Sequence, residues 1–381
     1  MKKKSIFLIL ILPLLLIYNT KPKNVILLIG DGMGIGHISA AMYSSNKHLN
    51  ITKFQHIGFT TTHSLDNLIT DSAAAGTAIA TGQKTYNNGI SVNMQKEPIK
   101  TIMEYAKEKG YAFGVVVTSS IVHATPAVFL AHAPHREDYY DLAMDVVEIE
   151  PDVAFGGGIE YFKNRPDGID LIKKLEEKNY RIFYDLSEIK RFRVKDPNQK
   201  FIALLAKDGL PPAIKTELNK NLEYYDYLSK RSDYSKSRPK DALEVMTRKA
   251  LEVFEAKNKP FILMVEGSQI DWASHDNNFS YLLEEMLDFD RAVGVALEFA
   301  QKHKETLVIA TSDHETGGFT ITSGKPDPKK PNQWEFQTKF ASTRHTGVLV
   351  PVFAHGPGAE VFQGFYDNTD IFKKIKVLWI D

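Results

Sequence analysis

The sequence predicts an α/β fold, a central and largely parallel mixed sheet flanked by helices on both faces. Short apolar runs of strand length alternate with longer segments of helical period along the chain. Those runs are continuous rather than alternating, as in strands buried on both faces. At 381 residues, 43% apolar and 25% charged, the composition is that of an ordinary soluble globule, large enough for one big domain or two ordinary ones.

Taken in order, residues 25–29 are uniformly apolar and predict the first strand. Small residues over 72–81 suit a closely packed helix, and residues 98–109 suit another before strand 112–117. A helix near 137–147 leads to strand 152–155, and a helix near 168–178 leads to strands near 181–184 and 201–205. Helix 241–257 precedes the uninterrupted apolar strand 261–265. In the long helix near 279–303, Leu282, Met286, Phe289, Val293, Leu297 and Ala300 recur every three or four positions, which gives one buried face. Strands 307–310 and 348–353 close the pattern. Two stretches break it. Residues 206–240 carry Pro211-Pro212, Tyr224, Tyr225, Tyr227, Tyr234 and a Ser/Lys/Arg-rich end, and read as a surface excursion. Residues 321–340, with Pro326, Pro328 and Pro331, read as a loop. Neither is long enough for a second domain, so residues 21–381 are taken as one.

The chain opens Met1-Lys2-Lys3-Lys4, then runs apolar over 6–17 with only Pro13 intervening, the pattern of a signal peptide over residues 1–20. The run falls short of the ~20 apolar residues of a membrane span. An exported, periplasmic or extracellular protein is expected. Ile17-Tyr18-Asn19-Thr20 lacks a small-x-small cleavage pattern, which leaves an uncleaved membrane tether as the alternative. Without cysteine there are no disulfides, thiolate ligands or lipoprotein anchor, so a metal must be held by His, Asp, Glu or hydroxyl oxygen. Lys+Arg and Asp+Glu are both 47, which gives no global reason to expect nucleic acid, and any anion binding must be local.

Four sites combine such an apolar run with potential metal ligands. They are Asp31 in Gly30-Asp31-Gly32-Met33-Gly34, Glu266 followed by Asp271 and His275, Asp313-His314, and His345 just before strand 348–353. In open α/β sheets the carboxyl ends of strands form one crevice, so these residues point to a shared polynuclear metal site. Locally, Asp31-Gly32 is also a turn signal, and its glycines do not make the G-x-G-x-x-G spacing. Asp271 and His275 are four apart, so on a helix both could chelate one ion, with Glu266 serving a neighbour. Either Asp71 or Ser72 can cap the helix that follows. Alternatively Ser72 faces the crevice at a helix N-terminus, where anions are favoured. With no G-x-S-x-G elbow, a metal is its natural activator. Arg136, just before a helical segment, can clamp a phosphate through its planar fork. His37, His48, His56, His63, His132, His135, His303 and His355 match no carboxylate pattern and are assigned to core or surface.

In this order the motifs resemble the alkaline phosphatase family across nearly all of the chain after the leader. Asp31 is similar to the family's metal-bridging aspartate, and Ser72 in Thr70-Asp71-Ser72-Ala73-Ala74-Ala75-Gly76 to its phosphorylated serine. Thr125, in His123-Ala124-Thr125-Pro126-Ala127, resembles the hydroxyl ligand of a third metal, and Arg136 the phosphate-binding arginine. The resemblance implies one zinc at Asp271, His275 and His345, and a second at Asp31, Asp313, His314 and the Ser72 oxygen. It implies a magnesium on Asp31, Thr125 and Glu266. Imidazole suits the first two ions and an oxygen-only site the third. It further implies an alkaline-phosphatase-like fold, a catalytic domain over 21–381, a homodimer, and broad hydrolysis of small-molecule phosphomonoesters through a phosphoserine. His123 stands where some bacterial members have aspartate, and Trp272 where others have lysine or histidine; both are expected near the substrate phosphate or third metal. The segment 315–344 is too short for the large insert of animal members. The alternatives are a phosphodiesterase of the same superfamily, or an exported phosphate- or metal-binding protein without turnover. Ser72 argues against the latter, because passive binding needs no nucleophile.

Overall fold

The computed structural model describes residues 21–45, 48–329 and 334–381, so the predicted leader over residues 1–20 lies outside the described residues. In chain order its strands are β1 (Asn24–Gly30), β2 (His56–Thr61), β3 (Ala112–Ser120), β4 (Val153–Gly157), β5 (Tyr180–Phe183), β6 (Lys200–Leu204) and β7 (Phe261–Gly267). They continue with β8 (Thr306–Thr311), β9 (Glu315–Thr316), β10 (Thr320–Pro326), β11 (Trp334–Lys339), β12 (His345–Thr346), β13 (Val350–His355) and β14 (Gly364–Asp367). Ten of them form one sheet in the order β14-β2-β13-β8-β1-β7-β3-β4-β6-β5. β13 is antiparallel to both neighbours and every other pairing is parallel, so β13 alone is reversed. The sheet is thus the largely parallel, mixed one expected.

Every residue of β1 is buried, and its side chains divide by alternation. Val25, Leu27 and Ile29 join the apolar cluster that includes helices Ser72–Thr81, Ala124–Leu130 and Thr369–Ile375. Ile26 and Leu28 join the opposite cluster, with helices Ala242–Lys257 and Phe279–Lys302. Helices on both faces explain the uninterrupted apolar runs, each fully buried Leu or Ile contributing ~1.5–3 kcal/mol. In the helix Phe279–Lys302 all six residues of the predicted face are buried. The second predicted helix starts later than expected, at Ile102, because Thr101 and Glu104 form a capping box. Ser72–Thr81 is buried along its whole length, and a Cβ at Gly76 would come within 2.8 Å of Val128, so the small residues are needed for close helix packing.

Two stretches differ from the sequence expectation. The supposed loop after residue 320 contains a hairpin, with β10 and β11 paired from Thr320↔Lys339 to Pro326↔Trp334; Pro326 ends a strand instead of interrupting one. Residues 206–240 have little regular structure, but they form a strap packed inward. Its base is pinned by Arg238, whose Nη2 lies 2.6 Å from Glu285 Oε2 and 3.0 Å from Asp288 Oδ2, all three buried. No helix among the described residues is long and apolar enough to cross a membrane.

The reversal of β13 positions the site. Because it runs against β8, its first residue lies at the edge where the parallel strands end. The segment before it therefore delivers His345 to the carboxyl-end crevice.

Candidate active site

Asp31 directly follows β1, Glu266 sits near the end of β7, and Asp313 and His314 follow β8. All four are fully buried. Thr125 lies in the first turn of Ala124–Leu130, Asp271 and His275 lie on the helix Gln269–His275, and His345 lies in β12, paired with Thr316 of β9. The structure brings all these sequence-predicted residues together.

At one side of the crevice, His275 Nε2 is 3.2 Å from Asp271 Oδ2, and His345 Nε2 is 3.4 Å from Asp271 Oδ1. The two Nε2 atoms are themselves 3.2 Å apart. His275 Nδ1 meets the Thr343 carbonyl at 2.5 Å and His345 Nδ1 the Thr70 carbonyl at 2.8 Å. A carbonyl only accepts, so each Nδ1 carries a hydrogen, and each ring, when neutral, turns its Nε2 lone pair toward one point.

In the middle, His314 Nε2 is 3.1 Å from Ser72 Oγ, 3.1 Å from Asp313 Oδ2 and 3.6 Å from Asp31 Oδ1. Its tautomer is set by Thr316, whose hydroxyl donates to Asp271 Oδ1 at 2.5 Å and accepts from His314 Nδ1 at 3.3 Å. The Nε2 lone pair therefore points toward Ser72 and the carboxylates. Ser72 is the first residue of its helix, because Asp71 takes the cap and accepts from the Ala74 N–H at 2.9 Å. That leaves the Ser72 hydroxyl free for the crevice.

Asp71 has a second task. Its Oδ2 accepts from Arg136 Nη1 at 3.0 Å, which ties the guanidinium to the residue that precedes Ser72. Arg136 Nη2 approaches His123 Nε2 at 3.4 Å, and that nitrogen also meets the Tyr227 hydroxyl at 3.1 Å. Burial, then Arg136 and Arg231, push His123 well below the usual imidazole range, so it is neutral. Beyond it, Thr125 Oγ1 donates to Asp31 Oδ2 at 3.2 Å and Ser119 Oγ approaches Glu266 Oε2 at 3.4 Å. Trp272 is fully enclosed in the apolar cluster, its ring edge-on to His123 at 5.8 Å, so its influence on the crevice runs through that histidine.

The donors fit divalent cations. Asp31 Oδ1, Glu266 Oε1 and Asp313 Oδ2 are buried without a hydrogen-bond partner. Burial, then Asp313, Asp271 and Glu266, raise Asp31 well above the carboxylate range, and burial pushes Glu266 up to about 8. Burial also opposes ionisation of Asp271, but His275 and His345 outweigh it and hold that carboxyl well below its usual range. Unit like charges about 4 Å apart repel by about 4 kcal/mol at an effective dielectric of 20, so cations are the natural balance. Among the described residues three groups offer ligand atoms within 4.8 Å of one another: Asp271, His314 and His345; Asp31, Asp313 and His314; Asp31, His123 and Glu266. His314 thus lies between the first two, its ring stacked on His345 at 3.6 Å. The third group includes an imidazole and departs from the oxygen-only set expected there.

Sequence reading missed Thr316, Tyr224 and Tyr227, which bear on the site through its ligands. Thr316 carried a usable signal, two residues beyond His314. The tyrosines carried none, because only the return of the strap brings them to the crevice.

A family model described as alkaline phosphatase matches residues 22–330 and 325–379. Alkaline phosphatase 4 of Bacillus subtilis (strain 168) is 35% identical, over 93% of this chain and 89% of its own length. The solved alkaline phosphatase of the Antarctic bacterium TAB5 is 39% identical with a TM-score of 0.80, covering 94% of this chain and 98% of that one. A histidine-to-aspartate mutant of the same protein, with magnesium bound in its M3 site, gives the same figures.

Proposed function

The chain belongs to the alkaline phosphatase family, and on that premise we propose that it is an alkaline phosphatase in activity, hydrolysing phosphomonoesters to an alcohol and inorganic phosphate through a phosphoserine at Ser72. The observation that carries the reading is the place of Ser72 Oγ, buried at a helix N-terminus and 3.1 Å from His314 Nε2, with an arginine anchored on the preceding residue, Asp71. A binding protein has no use for a hydroxyl so placed.

Asp271, His275 and His345 would hold one zinc, and Asp31, Asp313, His314 and the Ser72 oxygen a second. Asp31, Thr125 and Glu266 would hold a magnesium, with His123 near enough to alter its affinity. When bound, these ions supply positive charge that lowers the pKa of a coordinated hydroxyl and neutralises phosphoryl oxygens. The remaining chemistry belongs to the chain. Arg136 holds two phosphoryl oxygens through its fork, and the N-terminal N–H groups of Ser72–Thr81 add favourable dipoles. Ser72 Oγ then attacks phosphorus in line, forming the serine ester as the bond to the leaving alcohol oxygen breaks, and water later cleaves that ester. The extra charge of a monoester is what Arg136 and a third cation reward, so monoesters are preferred to diesters. The leader motif supports an exported enzyme, released or tethered by residues 1–20, and family membership supports a homodimer.

The test compares wild type with Ser72→Ala on an aryl phosphomonoester and an aryl phosphodiester, with metal analysis of both proteins. Zinc-dependent monoesterase activity abolished in the variant is expected. A strong diester preference would overturn the monoesterase reading, and equal activity of the two proteins would remove Ser72 from the reaction.

A further inference from the structure

The strap between β6 and helix Ala242–Lys257 closes over the crevice and grips the end of the helix that carries Asp271 and His275. Gly209 N–H donates to the Arg231 carbonyl at 2.7 Å and closes the strap at its base. Asn219 N–H donates to Asp276 Oδ1 at 2.7 Å, next to His275, and Asn278 Nδ2 donates to Thr216 Oγ1 at 2.8 Å. Between these anchors Tyr224 lays its ring flat on the His275 imidazole, centroids 3.9 Å apart and planes at 17°. Its neighbour Glu223 accepts from Arg344 Nε at 2.9 Å, and Arg344 lies between Thr343, whose carbonyl holds His275 Nδ1, and His345.

From these contacts we infer that Tyr224 is a positioning residue. Its stacked ring and the carbonyl of Thr343 together fix the plane in which His275 presents Nε2 to Asp271 and His345. The ring's orientation has two freedoms, rotation and tilt: the hydrogen bond at Nδ1 sets rotation and the stacked face sets tilt, and a ring released to tilt swings Nδ1 away from the Thr343 carbonyl. Outer partners of metal-binding histidines typically alter metal affinity 10–100-fold when removed. The stack, not the hydroxyl, is the active feature, which separates Tyr224 from Tyr227, whose hydroxyl meets His123. The consequence for zinc rests on the proposed function, and the orientation of the ring does not.

Two measurements test it. Zinc affinity is determined by competition with a chromogenic chelator for wild type, Tyr224→Ala and Tyr224→Phe. In the metal-free proteins, the downfield Nδ1–H proton signal of His275, identified by its loss in His275→Gln, reports the ring's bond to Thr343. Tyr224→Ala should weaken one zinc site about 10–100-fold and lose the signal, whereas Tyr224→Phe keeps both. Tyr224→Leu, bulky without a stacking face, reads the same loss if the alanine variant fails to fold. Wild-type affinity in Tyr224→Ala, or equal damage in Tyr224→Phe, overturns the inference. Should wild type bind no zinc, the metal reading fails on its own, and the proton signal alone decides Tyr224: lost in Ala and kept in Phe upholds it, any other pattern overturns it.

Discussion

His275 and His345 point their Nε2 atoms at each other across 3.2 Å, each ring turned that way by a backbone carbonyl at its Nδ1. Two lone pairs in that position repel unless a cation sits between them. His345→Ala should therefore lose one equivalent of zinc and lower kcat/KM by at least about 10²-fold, the factor that ~2.7 kcal/mol of charge stabilisation represents. Metal analysis after dialysis, alongside kinetics, checks it; full zinc retention would remove His345 from the first centre.

Arg136 reaches the crevice on a tether to Asp71, and its planar fork suits two oxygens of one phosphoryl group. Loss of two charge-assisted hydrogen bonds, each ~1.5–3 kcal/mol, predicts that Arg136→Ala drops kcat/KM by about 10²-fold or more and weakens inhibition by inorganic phosphate. Arg136→Lys should recover little, because an ammonium cannot grip two oxygens in one plane. Phosphate inhibition constants for the three proteins read this directly.

Removing metal should make stability depend on pH in a defined direction. In the metal-free fold Glu266 titrates near 8 and Asp31 well above its ordinary range, both chiefly through burial. Unfolded, these groups ionise at about 4.3 and 3.9, so through that window the folded state binds more protons and loses stability as pH rises. His345 adds the same sign: burial opposes its protonation, but Asp271 outweighs this and raises its pKa, so its contribution is present below about 6.5 and lost as pH rises. Asp271, held low, contributes above about 3.9 and loses that contribution only on acidification below the window. Chelator-treated protein should melt at a lower temperature at about pH 8.5 than at about pH 6, and zinc with magnesium should flatten the slope. Melting curves at the two pH values, with and without metal, decide it.

Arg238 ties the strap to Glu285 and Asp288 inside the protein. Replacing it removes the guanidinium from two buried carboxylates and leaves Asp288 only Arg291 as a cationic partner, 3.6 Å away, so Arg238→Met should cost about 3–5 kcal/mol, read as a lower urea midpoint. A near-neutral result would show that the strap closes without this anchor.

Much of the fold and the crevice was legible because strands buried on both faces must be continuously apolar. Residues 25–29, 261–265 and 307–310 announce the centre of the sheet, and their ligands follow at once. β2 was not legible: its burial alternates irregularly, with exposed Ile57 and Thr61, and resembles a loop. The helix Ala124–Leu130 hid behind Pro126, which is tolerated because it falls in the first turn. Nothing local marks β13 as reversed, although that reversal is what brings His345 to the carboxyl ends. The tyrosines of the strap were invisible for a related reason, since their partners His275 and His123 lie far along the chain and meet them only through tertiary closure.

During turnover Ser72 should carry the phosphoryl group itself. Protein mixed with an aryl phosphomonoester is quenched in acid, digested, and the peptide containing Ser72 analysed by mass spectrometry. One added phosphoryl group is expected, located on Ser72 in wild type and absent from Ser72→Ala. Sustained turnover with Ser72 unmodified, or with the phosphoryl group on another residue, would contradict it.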